Sequence, residues 1–290
     1  MSELLQFLVA GLKNGSIYAL VALGFTIVYA ATGAINFAQG EFFMLGGMLG
    51  VSFAAAGLPL PVAAVAAVAA TAAIGAAFEL LAVRPIAGGD PLRIIIVTIG
   101  GAVMLRQFAL HLFGPDERPL DPFTPGPSIK VLGAAVERQT VWVWALTAVA
   151  VIALALLYRR TRFGRAMRAT SIHSDAARLV GVDAGRMVTA SFALAAALGA
   201  VGGLAVAPLT QTAFSVGTGV AVKGFAAAIL GGLGNPVGAV AGGLALGLLE
   251  SFTAGYVDPV YKDAVALVVL LVVLFVRPQG FLGGSGRVKV

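Results

Sequence analysis

The sequence contains no cysteine, which excludes disulfide staples and thiolate metal sites. It is also poor in charge. Asp, Glu, Lys and Arg make up 11% of the 290 residues, less than half the share of about a quarter usual in soluble domains. A chain so composed cannot cover itself with a solvated surface. Aromatic residues are 8%, so the apolar share of 59% and the mean hydropathy of +0.98 come mainly from Ala, Val, Leu and Ile. The two histidines, His111 and His173, lie far apart in the sequence. No segment fits the phosphate-loop pattern G-x-x-x-x-G-K-[ST], so the chain carries no recognisable ATP-hydrolysing site. No His-Glu-x-x-His or Gly-x-Ser-x-Gly occurs, so common membrane protease and lipase signatures are missing.

What the sequence does have is long apolar runs and glycine. The runs recur from residue 4 to residue 276, which a single N-terminal signal peptide does not explain. Gly supplies 38 of the 290 residues, a density that suits close helix–helix contact in lipid. A spanning helix needs about 20 apolar residues. Spans are expected near 5–31, 37–57, 61–83, 94–113, 140–158 and 187–208, with a last one near 262–276. The Gly-rich stretch 219–255 reads either as one helix with a re-entrant part or as two short helices meeting at Gly234-Asn235-Pro236. The expected fold is therefore all-α: a polytopic transmembrane bundle of eight or nine spans with broken or re-entrant segments. The first span is expected to be interrupted at Lys13-Asn14-Gly15.

Loop charge orients the spans. Segment 159–186 carries Arg159, Arg160, Arg162, Arg165, Arg168, Arg178 and Arg186 against Asp175 and Asp183, a net of +5, and is expected in the cytoplasm. Arg84 and Arg93 bracket a loop on the same side, as do Arg277, Arg287 and Lys289 in the tail. The proline-rich, slightly acidic loop 114–139 is expected outside. Parity between an external N-terminus and a cytoplasmic C-terminus favours nine crossings. The overall charge of +6 is then flanking Arg and Lys, with no need of nucleic acid.

Three features carry candidate chemistry. Polar residues fall at membrane depth: Asn14, Ser16 and Tyr18 in the first span, and Asn36, Gln39 and Glu41 at the start of the second. Such groups usually face a bundle interior or an aqueous path, and interrupted helices present backbone dipoles to solutes. The plainer reading has Asn36 and Gln39 capping a helix start, with Glu41 favourable in its first turn. The second feature is the cationic loop, which is amphipathic and helix-prone with a glycine stop. It fits either a headgroup-bound helix or a docking surface for a cytoplasmic partner. The third is Gly231-Gly232-Leu233-Gly234-Asn235-Pro236. No strand precedes it, so it reads as tight helix packing around a Gly/Pro break and not as a dinucleotide loop.

The run Asn14-Gly15-Ser16-Ile17-Tyr18-Ala19-Leu20, followed by Gly33-Ala34-Ile35-Asn36-Phe37-Ala38-Gln39-Gly40-Glu41, resembles the N-terminal signature of LivH-type permeases. These are membrane subunits of bacterial ABC importers for branched-chain amino acids. The family usually shows His where this chain has Gln39. The run Phe225 to Ala239 is similar to the family's C-terminal signature, and Asp175-Ala176-Ala177-x-x-x-Gly181 looks like the Glu-Ala-Ala-x-x-x-Gly coupling motif with Asp for Glu. The resemblance implies a single permease domain over 1–290 in the bacterial inner membrane, with a coupling loop at about 159–186. It implies a periplasmic solute-binding protein, a second related permease and two cytoplasmic ATPase subunits. The chain would bind no cofactor, since ATP is hydrolysed by its partners, and would be no enzyme. Arg165, Asp175, Ala176, Ala177 and Gly181 would lie in or near the coupling helix. The family also serves urea, amides and other small solutes. From a different class, an ATPase-independent channel or secondary carrier would need intramembrane acids, for which Glu79 and Glu250 are the candidates.

Overall fold

The computed structural model describes residues 2–86, 91–131 and 133–283. Arg287 and Lys289 of the expected cytoplasmic tail lie outside the described residues. Among those described, nine helices are apolar. These are α1 (Ser2–Thr32), α2 (Gln39–Ala55), α3 (Leu60–Phe78), α4 (Pro91–Phe113), α5 (Arg138–Arg160), α8 (Ala184–Thr210), α9 (Val216–Gly231), α10 (Pro236–Tyr256) and α11 (Lys262–Val276). Two short polar helices, α6 (Arg162–Ile172) and α7 (Ser174–Leu179), fill the cationic loop. Seven of the apolar helices, with their continuations, are long enough to cross a membrane. The other two, α2 with 17 residues and α9 with 16, reach about 24–26 Å at 1.5 Å per residue, short of a hydrocarbon core of about 30 Å.

Local chemistry sets the breaks. Helix α1 ends at Gly33, whose φ of 71° is the left-handed conformation that closes a helix. Asn36 makes a tight turn in which its Oδ1 accepts from the Ala38 N–H at 3.1 Å, and α2 starts there. Helix α3 starts behind Pro59, widens into a π-helical turn over Glu79–Val83 and tightens over Arg84–Ile86. The Gly-rich stretch is two helices. Gly232 and Gly234, at φ 103° and 88°, stop α9. Asn235 then caps α10 by accepting from Val237 N and Gly238 N at 3.0 and 3.2 Å, with Pro236 in its first turn.

Helix α1 is the axis of the molecule. It packs along α10, α8 and α9, and 78% of its apolar window is buried, against 22% for α3 and α5. The expected interruption at Lys13-Asn14-Gly15 is absent, because α1 runs unbroken from Ser2 to Thr32. These small residues serve contact instead. A Cβ on Gly15 would lie 2.8 Å from the Leu244 backbone, and one on Gly11 2.9 Å from the Leu248 backbone. The helices touch main chain to main chain, as small residues permit in lipid. That packing offsets the roughly 1 kcal/mol by which a mid-helix glycine disfavours helix. Helix α8 also packs on α2, where Gly46 meets Ala200 and Gly203 meets the Phe43 carbonyl. The loop between α4 and α5 holds a small hairpin, β1 (Ile129–Val131) paired antiparallel with β2 (Ala134–Val136).

Candidate functional site

Helices α1, α2, α8 and α9 enclose a cavity of about 350 Å³. Its apolar walls come from Ile17, Phe43, Val206 and Val220, and its polar groups from Asn14, Tyr18, Thr210, Gln211, Thr212 and Lys223. Two breaks in regular structure create it. The chain leaves α8 at Thr210, where Pro208 has already removed one helical donor, and the short α9 begins only at Val216. The elbow between them is tied to the α4–α5 loop by a pair of backbone hydrogen bonds, Arg118 N to Thr212 O at 2.8 Å and Thr212 N to Arg118 O at 3.0 Å. A second, larger groove of about 740 Å³, lined by α3 and α5 residues such as Val65, Val68 and Trp142, is almost wholly apolar and faces outward.

Behind the polar cavity wall sits a charged cluster joining four helices. Tyr18 Oη of α1 donates to Glu250 Oε2 of α10 at 2.6 Å. Lys223 Nζ of α9 lies 3.1 Å from Glu250 Oε1 and 2.8 Å from Asp263 Oδ1 of α11, and 5.5 Å from the Tyr18 ring centre. Glu250 is 3% exposed, so its charge survives there only through these partners. The other intramembrane acids are held in the same way. Glu41, 2% exposed, accepts from Arg106 Nη2 of α4 at 2.6 Å and from Nε at 3.2 Å. Glu79 accepts from Thr189 Oγ1 at 2.6 Å and pairs with Arg84 at 3.5 Å.

Of the polar residues singled out in sequence, Asn14 and Tyr18 line the cavity. Ser16 donates back to Leu12 O within α1 at 2.7 Å. Asn36, Gln39 and Glu41 are buried away from it. Asn36 builds the turn before α2, and Gln39 Nε2 donates to Ala195 O of α8 at 2.9 Å. Gln211 and Lys223 were missed as a pair of cavity residues. Lys223 had a visible signal, a lone cation inside an apolar run, whereas Gln211 had none.

The cationic segment folds as two helices split at His173, whose Nδ1 accepts from Ala176 N at 3.3 Å and so caps α7. Thr161 caps α6 by accepting from Gly164 N at 2.9 Å. Arg165 is exposed on α6. Asp175, Ala176 and Ala177 belong to α7, with Ala176 exposed and Ala177 buried, and the Asp175 side chain lies outside the described positions. Gly181 closes the segment at φ 84°. Ile172, Leu179 and Val180 are more than 70% exposed among the arginines, an apolar surface on a charged ground.

Residues 7–274 match the family described as branched-chain amino acid transport system / permease component. The chain belongs to this family. It is 35% identical, over 99% of its length and 98% of the relative's, to the high-affinity branched-chain amino acid transport system permease protein BraD of Pseudomonas aeruginosa. It is 33% identical to the permease protein LivH of Escherichia coli, covering 99% of this chain and 97% of LivH. A more distant likeness, 27% identity over 90% of this chain and 83% of the relative, is to the ribose import permease protein RbsC of Escherichia coli. Among solved structures, PsaBC from Streptococcus pneumoniae in complex with Fab shares the fold, with a TM-score of 0.51 and 12% identity over 94% of this chain and 92% of that one. The protein is thus a multi-pass membrane permease of this family, and its polar cavity lies wholly within the matched region.

Proposed function

We propose that this chain is one half of the translocation path of an ABC importer for branched-chain amino acids in a bacterial inner membrane. It works with a second related permease, two cytoplasmic ATPase subunits and a periplasmic binding protein. The chain is a single permease domain, catalyses no reaction and binds no cofactor, since its partners hydrolyse the ATP. The observation that carries this reading is the cavity. An apolar wall of Ile17, Phe43, Val206 and Val220 faces polar groups from Asn14, Gln211 and Thr212, as a solute with an apolar side chain and a polar head requires. Asn14 and Tyr18 border the path; Gln39 and Glu41 tie α2 to the neighbouring helices α8 and α4, Asn36 shapes the turn into α2, and Ser16 bonds back within α1. Arg165, Ala176 and Gly181 lie on the surface where an ATPase docks, in a segment that also holds Asp175 and the buried Ala177. The exposed Leu179 and Val180 beside them support this part of the reading.

An ATPase-independent carrier is not favoured, because Glu79 and Glu250, the acids it would use for ion coupling, are each held by a cation. The test is reconstitution of this chain with the other subunits in liposomes. Labelled leucine should accumulate only with ATP and all subunits present. Sustained uphill uptake by the chain alone, driven by an ion gradient, would refute the proposal.

A further inference from the structure

Gln211 is the one non-glycine residue among those described with a positive φ. At φ 61° and ψ 176° it occupies a region populated almost only by glycine, at a cost of order 1–3 kcal/mol for any other residue. A glycine there would remove the strain. The conformation is imposed from outside the elbow, since the next residue, Thr212, is clamped to Arg118 by two backbone hydrogen bonds. Arg118 is itself fixed by its Nη2 donating to Phe113 O at 2.6 Å. Gln211 is exposed and borders the cavity, and its side chain has no hydrogen-bond partner among the described residues. Strain that the surroundings over-determine, with a free polar group at its end, is the pattern of a functional position.

We infer that Gln211 is a solute-contacting residue of the path. Its amide, which both donates and accepts, hydrogen-bonds the polar head of the solute while the apolar wall takes the side chain. This rests on the proposed amino-acid cargo, and the strain is retained because the side chain is needed there.

The test uses whole-importer vesicles, with thiol labelling read on this chain after its separation from the other subunits, since it has no cysteine of its own. Gln211→Gly should raise Tm by about 2–4 °C through relief of strain. The same variant should lower the maximal rate of leucine uptake about three- to tenfold, the size of one lost hydrogen bond. The half-saturating concentration, set by the delivering protein in the proposed reading, should hold, and Gln211→Asn should restore much of the rate. The thiol of Gln211→Cys should react with a membrane-impermeant charged reagent, and leucine should slow that reaction. Gln211→Gly that is more stable and transports at the wild-type rate overturns the inference, as does a reactive thiol that leucine fails to protect in an importer that carries leucine. If the wild-type importer carries no branched-chain amino acid, the cargo reading fails. Gln211 is then judged by labelling alone, where an unreactive thiol overturns its place on the path and a reactive one supports it.

Discussion

Replacing Lys223 by Met should destabilise the protein strongly, and replacing its partner as well should restore part of the loss. Lys223 is 25% exposed and 3.1 Å from Glu250, which is 3% exposed. Removing one member of a buried pair leaves an uncompensated charge and costs about 3–5 kcal/mol. Asp263, the second partner at 2.8 Å, is 60% exposed and contributes at most about 1 kcal/mol. Partial exposure of Lys223 places Lys223→Met near the lower end, about 3 kcal/mol, or a fall in Tm of roughly 6–12 °C. In the double variant with Glu250→Gln no charge is stranded. Tyr18 still donates to the amide oxygen, so the cost should drop to about 1–2 kcal/mol. The assay is thermal unfolding of the purified protein in detergent as a double-mutant cycle. A double variant as unstable as the sum of the singles, or Lys223→Met within about 0.5 kcal/mol of wild type, would refute the view that this cluster is a buried charge held by its cation.

Three further outcomes are expected. Gly15→Val should prevent α1 from seating on α10, because even a Cβ would lie 2.8 Å from the Leu244 backbone; size-exclusion chromatography in detergent should show aggregate or no protein. Gln39→Leu should lose the hydrogen bond to Ala195 O that ties α2 to α8, at about 1–2 kcal/mol in a denaturation curve, with a uniquely folded protein retained. Gly181→Val forces a β-branched residue into φ 84°, and with reversal of Asp175 it should abolish uptake and stimulated ATP hydrolysis in the assembled importer while membrane insertion stays normal; unchanged uptake in both variants would remove this segment from the coupling role.

The helices were legible in sequence to within a few residues at most ends, since each is an apolar run bounded by glycine, proline or charge. The break before α2 was legible as well, through Gly33 and Asn36, while the break between α9 and α10 was one of two readings that Gly234-Asn235-Pro236 left open, and the structure selects the two-helix one. The break expected at Asn14–Ser16 was a misreading with a clear physical cause. A glycine in an apolar run signals a turn or a close contact equally, and only the partner helix, arriving from residues 244–248, decides which. The buried polar pairs distant in sequence were illegible for the same reason. The Glu41–Arg106 ion pair and the Tyr18–Glu250 hydrogen bond span 65 and 232 residues and form only through tertiary packing. Gln211 carried no signal at all, because its backbone conformation contradicts its residue type.

These distinctions sort the intramembrane polar groups by what they can do. A charge inside lipid is tolerated when paired, and a paired charge is a fastener. Glu41–Arg106 joins α2 to α4, Glu79–Arg84 with Thr189 joins the end of α3 to α8, and the Lys223 cluster joins α1, α9, α10 and α11. None of these acids stands unpaired in the span to accept and release a coupling proton. The groups left to meet a solute without a charge partner are neutral, Asn14, Thr210, Gln211 and Thr212, on or beside the elbow where α8 stops and the short α9 starts, while Lys223 borders the cavity already paired to Glu250 and Asp263. A cavity lined by such hydrogen-bonding groups and apolar side chains suits a small zwitterion but supplies no driving force. In the proposed reading the energy arrives from outside the membrane, and the surface that would receive it is the cationic α6–α7 segment, with Leu179 and Val180 exposed at its tip.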